Sequence, residues 1–138
     1  MRYIDLLTEL KEIAKQQPNI GFVGSKDIYE LNSLPDLKYA IFYITPDKFQ
    51  LNQDTIEYAL NLYYIDRWDE TDNNRIQSLG IEVLTNIINQ FSVKFPDVAI
   101  TYPGVFQPFY QKFKDVTSGV YLKLTFELPN NGLCEINY

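Results

Sequence analysis

The chain has 138 residues, 46% hydrophobic and 22% charged, a balance that fits one globular α+β domain over 1–138 and excludes a disordered chain. Its net charge of −6, with the twelve Lys and Arg scattered, excludes a surface that grips nucleic acid, although an acidic wall can still surround passing DNA. No run nears the roughly 18 apolar residues of a membrane span, and MRYIDLLTELKEIAK carries no apolar signal core, which points to a reducing cytoplasm.

Residues 3–16 predict an amphipathic helix. Tyr3, Leu6, Leu7, Leu10, Ile13 and Ala14 recur at three- and four-residue steps, with Asp5, Glu9, Lys11, Glu12 and Lys15 on the other side. Pro18 stops it. Residues 20–32, IGFVGSKDIYELN, predict two short strand-like pieces around Gly24-Ser25, and SLPDL connects them to KYAIFYIT (38–45). That stretch is apolar or aromatic almost throughout, as in a central strand covered on both faces. Pro46-Asp47 reads as a turn.

The clearest strand follows at 54–66. Ile56, Tyr58, Leu60, Leu62 and Tyr64 alternate strictly with Thr55, Glu57, Ala59, Asn61 and Tyr63. The polar cluster DRWDETDNN then places Asp69, Glu70 and Asp72 where a helix N-terminus welcomes negative charge. From Asn74 to Phe91, Ile76, Leu79, Gly80, Val83, Leu84, Ile87, Ile88 and Phe91 match the helical template without a miss. Gly80 costs about 1 kcal/mol against Ala mid-helix, so it marks a place where helix and sheet approach closely.

A strand at 98–102 precedes the arm VFQPFYQKFK (105–114), which faces 118–128 across Asp115-Val116-Thr117. In the second arm Val120, Leu122, Leu124, Phe126 and Leu128 point inward, and Tyr121, Lys123, Thr125 and Glu127 outward. Pro108 places the first arm at a sheet edge. The tail LCEINY adds a last short strand. The order predicts a two-layer sandwich, an antiparallel or mixed sheet with two helices packed on one face.

Chemistry is harder to find. Histidine is absent, which removes the usual acid–base group near neutral pH and the commonest metal ligand. Cys134 lies beside Glu135 and has no basic neighbour, so it reads as structural. Asp66, Asp69, Glu70 and Asp72 lack the alternating spacing and central Gly of a calcium loop and read as helix-capping, solvated residues. Gly21 and Gly24 fit neither phosphate-cradling pattern. The expectation is therefore no catalytic residue, no cofactor and no metal. Eleven Tyr and nine Phe, by contrast, exceed what a core this size needs. They point to a Tyr-rich sheet and to protein interfaces, with Tyr39, Phe42, Tyr43, Trp68, Phe106, Phe109 and Tyr110 as the candidate contact residues.

Two stretches carry a resemblance. YALNLYYIDRWDETDNNRIQSLGIEVLTNIIN (58–89) leads a strand through DR-x-D and DNN-x-IQS into a long helix, and FKDVTSGVYLKLTFELPNNGLC (113–134) holds F-x-D-x-x-x-G, an alternating strand and a late Cys. Together they resemble small virion proteins of tailed phages and prophages of Bacteroides-type hosts, crAss-like phages included, of the tail-terminator or tail-completion class of neck proteins. The resemblance implies a protomer that closes into a ring, sixfold or a multiple of six, at the head–tail junction of the virion. Its partners would be other neck, portal or tail proteins, with DNA passing through and no catalysis. The alternative expectation is a cytoplasmic interaction or adaptor module of similar fold, monomeric or dimeric. A third, an enzyme using carboxylates and a metal, would need an ion near 66–72.

Overall fold

Two periodicities account for the architecture. A 3.6-residue repeat makes two helices with one apolar stripe each, and a two-residue repeat makes strands with one apolar face, so stripe and face must bury each other. The computed structural model describes residues 1–25, 38–67, 72–112 and 116–130, with side chains left undescribed at 111, 112 and 116. Helix α1 is Tyr3–Lys15, followed by strands β1 (Phe22–Gly24), β2 (Ile41–Leu51) and β3 (Thr55–Arg67), helix α2 (Asn73–Lys94), and strands β4 (Ala99–Lys112) and β5 (Val116–Pro129). The five strands form one open mixed sheet in the order β1-β2-β3-β5-β4. Only β1 with β2 is parallel. This is the expected two-layer α+β sandwich.

Helix α1 buries Leu6, Leu7, Leu10, Ile13 and Ala14 and starts at Arg2, whose backbone N–H donates to the Asp5 carboxylate at 2.8 Å. That bond is the main reason the Asp5 carboxyl titrates below its usual range. The helix ends before Pro18 as expected. The two helices are tied by Lys94 Nζ donating to Glu9 at 2.9 Å and Gln17 Nε2 donating to Gln90 at 3.3 Å.

The central ladder is β3 with β5, paired from Thr55 opposite Pro129 to Arg67 opposite Thr117. On the helix side it presents Leu60, Leu62, Tyr64, Val120, Leu122, Leu124, Phe126 and Leu128, all buried against Ile76, Val83, Leu84, Ile87, Ile88 and Phe91 of α2. On the opposite face a smaller cluster of Ile41, Tyr43 and Ile65 is buried, with Phe22, Tyr39, Tyr63 and Phe109 packed around it. The start of β2 is therefore covered on both faces, as its unbroken apolar run predicts.

Two expectations need correction. Pro46-Asp47 is not a turn. Strand β2 runs through it with a register shift between Pro46 and Lys48, and the chain reverses at 52–54, where Asn52 N–H donates to the Thr55 carbonyl at 2.8 Å. A bulge tolerates a proline because one residue there leaves the ladder anyway. Similarly, 98–102 and the 105–114 arm are one strand, β4, with a register shift between Thr101 and Val105 around Pro103-Gly104. The sheet thus has one strand fewer there than the punctuation suggests. The second piece of 20–32, most of the acidic cluster and the tail strand lie outside the described residues.

Gly80 is where helix and sheet meet. A Cβ there would stand 2.6 Å from Val120 Cγ1 and 2.9 Å from Tyr64 Cδ1, both far below van der Waals contact. Ala would gain about 1 kcal/mol of helix propensity but overpack the interface at about 1–3 kcal/mol. Gly80→Ala is accordingly expected to lower the denaturant midpoint, and an increase would show that α2 can lift off the sheet without penalty. The Tyr64 phenol beneath it is pushed up to about 12, first by burial and then by the Asp66 carboxylate, with Arg75 opposing. A raised folded-state value means its contribution is complete below pH 10 and is lost as pH climbs toward 12. Spectrophotometric titration should find one phenol ionising well after the exposed tyrosines, together with loss of the fold.

Candidate interaction surface

The expected contact residues separate sharply once the sheet is oriented. Phe42 and Tyr43 are fully buried, Phe42 in the main core and Tyr43 in the second-face cluster. Neither has surface to offer a partner, and the expectation is corrected for both. Consecutive strand residues point to opposite faces, and here both faces are covered. Tyr39 is half-buried with the Arg67 guanidinium 5.1 Å from its ring centroid. Trp68 lies outside the described residues.

On β4, Phe106 sits opposite Leu122 and leans on the main core, whereas Phe109 sits opposite Gly119 on the other face. There it meets Tyr63 edge-on at 5.8 Å and Tyr121 at 6.2 Å. Both rings are half-buried. Tyr110 is the most exposed described member of the expected set, at 62%.

Side chains that sequence reasoning passed over complete the surface. Tyr102 is 63% exposed and Val105 is exposed beside it, both at the β4 register shift. At the far end of the β2–β3 hairpin, Leu51 is 73% and Phe49 51% exposed, with Ile4 of α1 exposed nearby. Phe49, Tyr58 and Tyr3 form a ring trio with centroids 4.9 to 5.2 Å apart. The signal was present: Phe49 and Leu51 alternate with Lys48 and Gln50 and are followed, across Asn52-Gln53-Asp54, by another alternating run, which is a hairpin pattern. Reading Pro46-Asp47 as a turn hid it.

Strand β4 is the long free edge of the sheet. Among the described residues it pairs with β5 alone. Pro103 and Pro108 remove backbone donors, and the register shift breaks the strand's straight run, both devices that protect an edge from indiscriminate pairing. Beside it, between α2 and the register shift, lies an apolar cleft of about 180 Å³ lined by Ile88, Asn89, Tyr102, Gly104, Phe106 and Leu124 among others. The sheet's second face below the aromatic cluster is polar: Glu57 stands directly opposite Glu127, flanked by Gln50 and Ala99. Such a like-charge pair is unfavourable within the chain. The Oδ1 of Asn61 on that face is buried without a donor.

Among the described residues no group of three or more His, Cys, Asp and Glu is placed to hold a metal ion. Asp66 accepts from the Arg67 backbone at 2.8 Å, and Asp72, at the start of α2, pairs with Arg75. No helix among the described residues is long and apolar enough to cross a membrane. No protein-family model matches the chain, and no curated protein is significantly similar to it.

The edge devices can be tested directly. Pro108→Thr restores a backbone donor and strand propensity at an edge position. The variant is expected to form concentration-dependent, thioflavin-positive sheet aggregates that the parent chain does not. If the variant remains as dispersed as the parent, Pro108 is not guarding this edge.

Proposed function

We propose that this chain is a structural subunit that works by joining copies of itself into a ring, at the head–tail junction of a tailed-phage virion, without catalysis. The observation that carries the reading is the apolar and aromatic surface on both edges of one sheet: Phe49 and Leu51 at the β2 edge, Tyr102, Val105 and Tyr110 along β4. Apolar residues so placed suit contacts made by two different surfaces of the same protomer, the type of contact that closes rings.

The place in the virion rests on the resemblance carried by 58–89 and 113–134. Three features agree with it. The element order runs from one helix through a hairpin to a second helix and a second hairpin. The net charge of −6 suits a lumen through which DNA slides without sticking. The two-layer sandwich presents both sheet edges sideways, where neighbours in a ring would stand. Assembly would take place in the host cytoplasm, with portal-side connector and tail proteins as neighbours.

The decisive measurement is the mass of the purified chain by light scattering across a concentration series, with negative-stain imaging of any large species. A closed ring at or near sixfold symmetry is the expected result. A chain that stays monomeric at every concentration and also fails to bind phage connector would overturn the reading in favour of an adaptor module.

A further inference from the structure

We infer that the outward side of α2 is a contact surface for a second copy of this chain, met antiparallel across a two-fold axis at the level of Ile87. Helix α2 belongs to the helix layer, so a contact there leaves both sheet edges open and is independent of the ring reading. The two helices differ in charge. Helix α1 has 13 residues and carries Asp5, Glu9, Lys11, Glu12 and Lys15. Between Ile76 and Val93, α2 carries a single charge, Glu82. Arg75 and Lys94, just outside that span, are held by Asp72 and Glu9. The side of a surface helix turned from the core is where charged residues usually collect. Here its exposed positions are otherwise amides and hydroxyls, with Ile81 41% and Val93 83% exposed among them.

Ile81, Thr85, Asn89 and Val93 follow one another at four-residue steps and form one ridge along the helix. The ridge reads apolar, polar, polar, apolar, so it is its own complement when turned end for end. A two-fold contact demands that property, because whatever residue one copy offers, the other offers back. With the axis at Ile87, midway along the ridge, Ile81 of each copy meets Val93 of the other, and Thr85 meets Asn89. Hydroxyl and amide each hold a donor and an acceptor, so the middle pairs can bond in both directions. Beside Val93 lies an open hollow lined by Asn89, Gln90, Val93 and Lys94, which is where Ile81 of the other copy arrives.

Charge decides the occupant. A residue close to a two-fold axis stands near its own copy, so a charge there meets a like charge. Thr85 and Asn89 lie about 3 Å from the axis along the helix, and both are neutral. The two copies of Glu82 stand about 15 Å apart along the helices, beyond the Debye length of about 8 Å at physiological salt. The chain carries a net charge of −6, so copies repel one another in general, and this stripe lets them approach with least opposition. A surface shaped for a partner of different sequence gains from opposite charges across the contact, and this ridge offers none.

An exchange of charge on the ridge tests this. Thr85→Lys and Asn89→Glu alter exposed positions, and both new residues are good helix formers, so each variant should keep the parent's thermal midpoint. Alone, each sets two like charges about 6 Å apart along the helices. By sedimentation equilibrium at low salt, each should then need a concentration more than about tenfold higher than the parent to pair. Thr85→Lys also lowers the net charge, so a general effect of charge would tighten its association instead. Mixed in equal amounts, the lysine at 85 of one chain meets the glutamate at 89 of the other, and the mixture should pair at least as tightly as the parent. Variants that pair like the parent, or a mixture no tighter than either variant alone, would overturn the inference. So would a parent that stays monomeric, which would leave the stripe to water or to a partner of another sequence. A parent that pairs and goes no further would support this contact and speak against the ring. Rings of unchanged mass in both variants would leave the ring reading standing and remove this contact alone.

Discussion

The contact between α2 and the β3–β5 ladder is the constraint on which the rest of the molecule depends, and Gly80 is its tightest point. With no side chain at that position, the helix backbone rests directly on Tyr64 and Val120. The apolar stripe that continues through Val83, Leu84, Ile87 and Phe91 then follows the sheet to its far end. At about 33 Å, α2 is long enough to carry the chain down most of the sheet before it turns back. Strand β4 therefore enters at the end where the β2–β3 hairpin turns and rises antiparallel to β5 at the outer edge. Helix α1 has less freedom still, being pinned to α2 through Glu9 and Lys94 and to the sheet through its leucines.

That arrangement divides the aromatic residues among three tasks. Phe42, Tyr43, Tyr64, Phe91 and Phe126 fill the interior, where large rings remove the most surface from water. Tyr63, Phe109 and Tyr121 pack against one another on the second face, next to the buried Ile41, Tyr43 and Ile65. Phe49, Tyr102 and Tyr110 remain at the edges with most or half of their surface in water. An isolated protomer gains little from the last group, and an assembly of protomers would gain from all of it. The same holds for the opposed Glu57 and Glu127 and the unpartnered Asn61 oxygen, which are unfavourable in the free chain and mark the lower half of the second face as polar.

The two edges are protected by the same kinds of device. Strand β4 has prolines and a break in register against promiscuous pairing, while the lower half of β2 has Pro46 and its own register shift. The devices stand almost level with each other across the sheet. Any contact at these edges would then be made by side chains more than by strand addition, and side-chain contacts can be specific to one partner where backbone pairing cannot.

Much of this was legible in the residues alone. Strict alternation at 54–66 and 118–128 determined two long strands and which of their faces is apolar, and the heptad-like spacing from Ile76 to Phe91 determined α2, because both periods follow from backbone geometry that neighbours cannot alter. Gly80 announced a close approach for the same local reason. Pro108 announced an edge, since a proline in the interior of a sheet would cost a ladder bond. Tertiary structure alone decided whether Pro46-Asp47 and Pro103-Gly104 ended strands or interrupted them, since a bulge and a turn share the same residues and differ only in where the partner strand lies. It also decided which aromatics are core. Phe42 and Tyr43 look the same in sequence as Phe109 and Tyr110, and only the covering of both faces at the top of β2, against the less covered flank of β4, separates a fully buried ring from a partly or largely exposed one.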